Sequence, residues 1–190
     1  MKKMMMLVMM TMMVAIAAQA KDDKVTITSG NGQVMKEAGK TATLEIDYSK
    51  TIVEGKAPLM EYLQQRGEKN VKDWPETAAV AQKQLTEQFN KRNKKGLQIV
   101  ESGDADYKIK FIVEKLDFGS TGVSVVFGGL GSAGGAEVTG TLVISDKSGN
   151  EVVTYDVHEV RGTGTTDFTE TRRIGTCYEN VVKMVLKASK

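Results

Sequence analysis

Two hydrophobic periods, set in a fixed order along the chain, restrict what it can fold into more than any other feature. Apolar residues alternate with polar ones from Thr41 to Tyr48, from Tyr107 to Val113, from Val138 to Ile144 and from Val153 to Val157, the signature of half-buried strands. Between and after these runs, Trp74, Ala78, Ala81, Leu85 and Phe89, and then Ile174, Cys177, Val181, Val185 and Ala188, recur at spacings of three and four. Each set makes one apolar helical stripe. The order of strand, helix, two strands, hairpin and helix predicts an α+β fold: a twisted, mostly antiparallel sheet with two main helices packed on one face.

Local signals sharpen that outline. Asp73 with Glu76 three residues on, and Pro75 in the first turn, predict a helix start at Asp73, and Lys91, Arg92, Lys94 and Lys95 before Gly96 fit the negative end of its dipole. A short helix is expected between Ala57 and Arg66, and the last helix is expected to begin near Asp167, with Glu170 completing a capping box. Beyond Val113 the alternation slips to Leu116 and Phe118, which predicts a bulge or strand end near Lys115. Asp146 to Asn150 reads as the turn of a hairpin.

The first twenty residues have another character. Lys2 and Lys3, an uncharged stretch from Met4 to Ala18, and small residues before Lys21 predict a secretory signal peptide over 1–20. Residues 21–190 then form a single α+β domain, with 21–40 either a short strand and turn or a loose N-terminal arm. Export is expected to the periplasm or outside the cell. Lys21 stands where a lipoprotein needs cysteine, so lipid anchoring is not expected. Cys177 is the only cysteine, which leaves packing to stabilise the fold. With Lys2 and Lys3 in the leader, the remainder carries 24 basic and 24 acidic residues. A neutral chain lacks the cationic footprint of a nucleic-acid binder.

Few motifs carry chemistry. Gly129-Leu130-Gly131-Ser132-Ala133-Gly134 matches the dinucleotide-binding spacing, but strand character follows where the mechanism needs a helix N-terminus, so no nucleotide is expected. His158, the sole histidine, lies on the polar side of its strand beside Glu159 and cannot by itself build a zinc site. Cys177 falls on a buried stripe, where a thiol behaves as a small hydrophobe. Pairs such as Asp104 with Asp106 and Glu45 with Asp47 are ordinary on solvated surfaces. No cofactor or metal is expected. The unusual stretch is Gly119 to Ala136, uncharged and with seven glycines. It reads either as a strand and glycine turn or as a loop whose Val125, Phe127 and Leu130 contact a partner protein or membrane surface.

The Asp73-Trp74-Pro75-Glu76 segment, the glycine block from Gly128 to Val138 and the Gly140-Thr141-Leu142-Val143-Ile144 strand together resemble uncharacterised secreted proteins of Bacteroides-type bacteria. From Ala105 onward the chain is similar to a domain of unknown function in envelope lipoproteins, with Phe127 to Gly131 and Asp146 to Val152 at the places of its glycine turn and following motif. More distantly, the order of elements resembles the α+β domain of curli-secretion-channel lipoproteins and penicillin-binding-protein activators. The resemblance implies partner contact in the envelope without catalysis. The leading expectation is therefore a noncatalytic exported envelope protein, a protein- or surface-interaction module with Val125, Phe127 and Leu130 as contacts. The alternatives are a glycan or peptide hydrolase using scattered carboxylates or His158, and a small-molecule carrier. The partner and oligomeric state are left open.

Overall fold

Period-two patterning places apolar side chains on one side of each strand, and the sheet is built by stacking those sides together. In the computed structural model, which describes residues 24–119, 135–162 and 169–190, this gives an eight-stranded mixed sheet. The elements are β1 (Val25–Gly30), β2 (Thr41–Asp47), β3 (Ile52–Val53), β4 (Ala57–Pro58), α1 (Leu59–Gln65), α2 (Glu68–Arg92), β5 (Gln98–Ile99), β6 (Tyr107–Asp117), β7 (Glu137–Asp146), β8 (Glu151–Arg161) and α3 (Glu170–Ala188). The fold is α+β with a mostly antiparallel sheet, in the order β1-β8-β7-β6-β2-β5.

The connections explain which pairs are parallel. β6, β7, β8 and β1 form an antiparallel run. β2 joins β6 in parallel, Ala42 opposite Tyr107 through Asp47 opposite Ile112, because the chain between them crosses over through α1 and α2. β3 continues that line, placing Ile52 and Val53 against Lys115 and Leu116.

The inner face carries Ile109, Phe111, Val113, Leu142, Ile144, Val153, Tyr155 and Val157, all buried. Ala81, Leu85 and Phe89 of α2 and Ile174, Cys177, Val181 and Val185 of α3 lie buried in the same core. Each large aliphatic side chain fully buried contributes about 1.5 to 3 kcal/mol gross, so the α3 stripe makes that helix integral to the fold. Two tyrosines on the inner side keep their hydroxyls bonded: Tyr178 to Tyr48 at 2.7 Å and Tyr155 to Ser189 at 2.7 Å. The opposite face is charged, with Lys108 and Lys110 bridging Glu45 and Asp47.

Several boundaries differ from expectation. α2 starts at Glu68, not Asp73, and Pro75 lies inside it. The Asp73–Glu76 capping pattern is bypassed because Val71 and Trp74 pack against the core, which favours the added turn. Gly67, at φ 108°, makes the break from α1. α3 starts at Glu170, capped by Thr169, whose hydroxyl oxygen accepts from the Arg172 amide. Glu170 is drawn instead into an ion pair with Arg66, while Asp167 lies outside the described residues. Within the described residues 24–40, Val25–Gly30 form a strand. β1 pairs with β8, and a 3-10 turn from Gly32 to Lys36 buries Val34 and Met35.

The slip near Lys115 is a bulge within β6, opposite Gly140. A Cβ at position 140 would overlap the Ile112 carbonyl oxygen of the neighbouring strand, a backbone atom that cannot yield without breaking the ladder. At Gly175 of α3 the obstruction is only the Gln84 amide, the end of a flexible side chain on α2. Gly140→Ala is expected to destabilise by about 1–3 kcal/mol, as overpacking does. Gly175→Ala, where the helix gains about 1 kcal/mol of propensity against displacing Gln84, is expected to change stability by less than about 1 kcal/mol. Urea unfolding of the two variants measures the ranking; equal losses would contradict the steric account.

Candidate functional site

β8 ends on a kink that re-aims its side chains. Glu159 adopts φ 45° and donates its amide to Thr139 Oγ1 at 3.0 Å, so Val157 and Val160 both face inward while His158 and Glu159 face out. A shallow hollow of about 170 Å³ results, lined by Glu54, Lys115, Asp117, Glu137, Thr139, His158 and Glu159. It gathers the histidine and carboxylates that a hydrolase would need. Each of three carboxylates, however, already faces a cation: Glu54 meets Lys56 at 2.7 Å, Glu159 meets Lys24 at 3.5 Å, and Glu137 meets Arg161. The Lys56 hydrogen bond leads in holding Glu54 below its ordinary range, so it stays ionised near neutrality, where a general acid must carry a proton. His158 is 62% exposed and 3.9 Å from Glu159.

The other sequence candidates are dispersed. Cys177 is fully buried under β8, its Sγ donating to the Val160 carbonyl at 3.1 Å, and burial pushes the thiol well up. His158 points to the other side of that strand, so the pair is not assembled. Asp104 bridges Lys147 at 3.0 Å and Asp106 bridges Lys40 at 2.9 Å. The Lys110 hydrogen bond is the first cause holding Asp47 well below the usual carboxylate range. At the end of α2, Asn93 donates to the Met35 and Leu97 carbonyls, so the adjoining basic cluster terminates a helix rather than opening a cleft. Val125, Phe127 and Leu130, and the glycine string from Gly129 to Gly134, lie outside the described residues. Among the described residues, no group of three or more His, Cys, Asp or Glu is placed to hold a metal ion. No described helix is long and apolar enough to cross a membrane.

Two assemblies were hidden from sequence reasoning. At the end of β6, Arg66 sits 5.7 Å above the rings of both Tyr62 and Phe118 and pairs with Glu170. Trp74 meets Phe118 and Tyr48 edge-on at 5.9 and 5.1 Å. Buried Arg173 donates from Nε to the Phe118 carbonyl at 2.8 Å. This cluster ties α1, α2, β6 and α3 together, and its members are too far apart in the chain for any spacing to reveal them.

The second assembly is a groove of about 500 Å³ between β1 and α3. Val25, Ile27, Met184 and Ala188 supply its apolar residues, while Lys24, Lys183 and Lys187 line it with positive charge. Among the described residues the sheet ends at β1, and the groove runs beside that strand. The alternation of β1 was visible at Val25-Thr26-Ile27-Thr28, but its place at the edge depends on long-range pairing.

Fold and geometry define an α+β protein with a one-sided core and an edge groove. No protein-family model and no curated protein matches the chain. Among solved structures it is similar to the PelC dodecamer from Paraburkholderia phytofirmans, at 18% identity and a TM-score of 0.46, covering 87% of this chain and 98% of that one. A leucine-to-methionine variant of the same dodecamer matches at 18% identity and a TM-score of 0.43, with the same coverage. A likeness this distant assigns neither activity nor partner to this chain.

The state of Cys177 gives a direct check of the packing between β8 and α3. A buried thiol held in its neutral form reacts slowly with iodoacetamide at pH 8, because only the thiolate attacks. Native protein is expected to remain unlabelled over an interval in which urea-unfolded protein is fully alkylated, as read by mass spectrometry. Comparable labelling of the two would show that the thiol is accessible.

Proposed function

We propose that the chain is a noncatalytic exported envelope protein that works by holding another envelope component. The observation that carries this reading is the groove of about 500 Å³ between β1 and α3, apolar in its floor and open along a strand edge. Surfaces that pair an apolar floor with a charged rim serve contact. The resemblance to envelope assembly lipoproteins and the predicted leader run the same way, as does the apolar character of the sequence at Val125, Phe127 and Leu130.

The hydrolase alternative has one observation in its favour, the hollow that brings His158 beside Glu54, Asp117, Glu137 and Glu159. Against it, Glu137 and Glu159 are engaged in ion pairs with Arg161 and Lys24, and the Lys56 hydrogen bond holds Glu54 in the ionised state that an acid catalyst must leave. A carrier needs interior space. The void enclosed by Met35, Leu85, Phe89, Ile109 and Val181 is about 10 Å³, room for no more than a single water.

Residues 21–190, immobilised and exposed to envelope extract, are expected to retain one component that free protein competes away. His158→Ala is expected to retain it equally. Retention lost in Phe127→Asp, with an unchanged melting temperature, would place the contact at residues 125–130. Retention of nothing by the unaltered chain, or hydrolysis of envelope glycan or peptide that His158→Ala abolishes, would overturn the reading.

A further inference from the structure

One end of the molecule gathers positive charge that the described residues do not neutralise. α2 and α3 run in parallel: the Thr77 and Thr171 hydroxyls meet at 3.3 Å, and farther along Leu85 and Phe89 share one small void with Val181 and Val185. Their C-termini therefore lie at the same end, bridged by the 3-10 turn, whose Met35 carbonyl accepts from Asn93 Nδ2 at 2.8 Å and whose Lys36 Nζ donates to the Lys190 carbonyl at 2.9 Å. Lys91, Arg92, Lys94 and Lys95 stand at this end, all exposed. None of them makes an ion pair or a side-chain hydrogen bond with a described residue. The neighbouring acids are engaged elsewhere: Glu87 pairs with Lys83 at 4.0 Å, and Glu37 accepts from the Tyr107 hydroxyl at 2.8 Å.

The helix dipole accounts for only part of this cluster. Lys91 and Arg92 lie in the last turn of α2, where the negative end of the dipole favours a cation, but that effect falls off within one turn. Asn93 caps the helix, and Lys94 and Lys95 follow it. Like charges gathered this closely repel one another, a cost that an apposed anionic surface offsets. The four line neither the groove between β1 and α3 nor the hollow beside His158, so they offer a spread of charge rather than an enclosure for one small anion. Phe89, the nearest aromatic residue along the chain, is buried, which leaves nucleic-acid bases without a stacking platform. We infer that the end of α2 docks the protein on an anionic membrane surface, with Lys91, Arg92, Lys94 and Lys95 meeting lipid phosphates. This contact is separate from the groove of the module proposed above and does not rest on it. Each basic residue near such a surface strengthens adsorption about fivefold, and the attraction reaches only about a Debye length, so cations gathered at one end act together while distant ones do not.

Residues 21–190 are expected to sediment with phosphatidylcholine vesicles that contain phosphatidylglycerol, to stay in solution with phosphatidylcholine alone, and to be released as salt rises. The double variant Lys94→Glu, Lys95→Glu changes only exposed positions beyond the helix. It is expected to melt as the parent does and to bind at least about tenfold more weakly. Lys94→Gln, Lys95→Gln is expected to fall between the two. Lys69→Glu, Lys72→Glu makes the same change in net charge at exposed positions about 30 Å away along α2 and is expected to bind as the parent does. Absence of binding to the anionic vesicles, equal binding by Lys94→Glu, Lys95→Glu, or an equal loss in Lys69→Glu, Lys72→Glu would overturn the inference. So would binding of soluble polyphosphate with no binding to the vesicles. Because the vesicles contain no protein partner, failure here leaves the module reading standing.

Discussion

The seating of α3 on the inner face of β6, β7 and β8 is the interaction on which the rest of the structure depends. Its stripe of Ile174, Cys177, Val181 and Val185 supplies apolar surface, but apolar contact alone does not fix how a helix lies on a sheet. Two tyrosine hydroxyls help to do that. Tyr178, fully buried and edge-on to Phe111 at 5.8 Å, must satisfy its hydroxyl, and the Tyr48 hydroxyl just beyond β2 stands within reach. At the other end, Tyr155 of β8 bonds Ser189, which also donates to the Val185 carbonyl and so closes the helix. A buried hydroxyl left without a partner costs about 1–3 kcal/mol, so sliding α3 in either direction is penalised at both ends. With one cysteine in the whole chain, this packing has no disulfide to assist it.

Much of this frame was legible because it rests on local periodicity. The strands of the β6–β8 run, their turn at Asp146, the bulge before Lys115 and both helical stripes follow from alternation and from spacing by three and four. The errors fall where distant packing outweighs a local signal. Asp73 with Glu76 is a sound helix start on its own terms, yet burial of Val71 and Trp74 carries α2 back to Glu68 and leaves Pro75 inside. Glu170 is likewise withdrawn from a capping box by Arg66, a residue more than a hundred positions earlier. The arginine–aromatic cluster at Phe118 was invisible for the same reason, since no repeat in the sequence relates Tyr48, Tyr62, Trp74, Phe118 and Arg173. Of the candidate site, the alternation of β1 could be read and its position at the sheet's edge could not. Val125, Phe127 and Leu130, the contacts expected from sequence, lie outside the described residues and remain a proposal.

Covering only one side of the sheet leaves the other to be made soluble by charge. Lys108 and Lys110 of β6 reach across to Glu45 and Asp47 of β2, neighbours in register that form a ladder of alternating sign. Such pairs on an open face contribute little to stability. Their greater consequence is that every carboxylate in the ladder is already matched, as are Glu54, Glu137 and Glu159 around His158. At Glu45, Asp47 and Glu54 the hydrogen bond from a neighbouring lysine is the first cause favouring the ionised state, which works against proton uptake at those three carboxylates.

The edge at β1 is treated differently from the face. An unpaired strand is a template for uncontrolled association, and folded proteins blunt such edges with charge, brevity or a bulge. β1 shows the last of these: its register with β8 slips between Ile27 and Ser29. Past the slip, Gly30 at φ 70° lies so close to the Val152 carbonyl that a side chain there would collide with it, so the strand stops where the backbone of β8 crowds in. Val25 at the start of the strand is buried in the core, and Ile27 packs against it. The slip in register and the crowding at Gly30 together deny β1 the long, flat run of backbone that another copy of the same edge would need in order to pair with it.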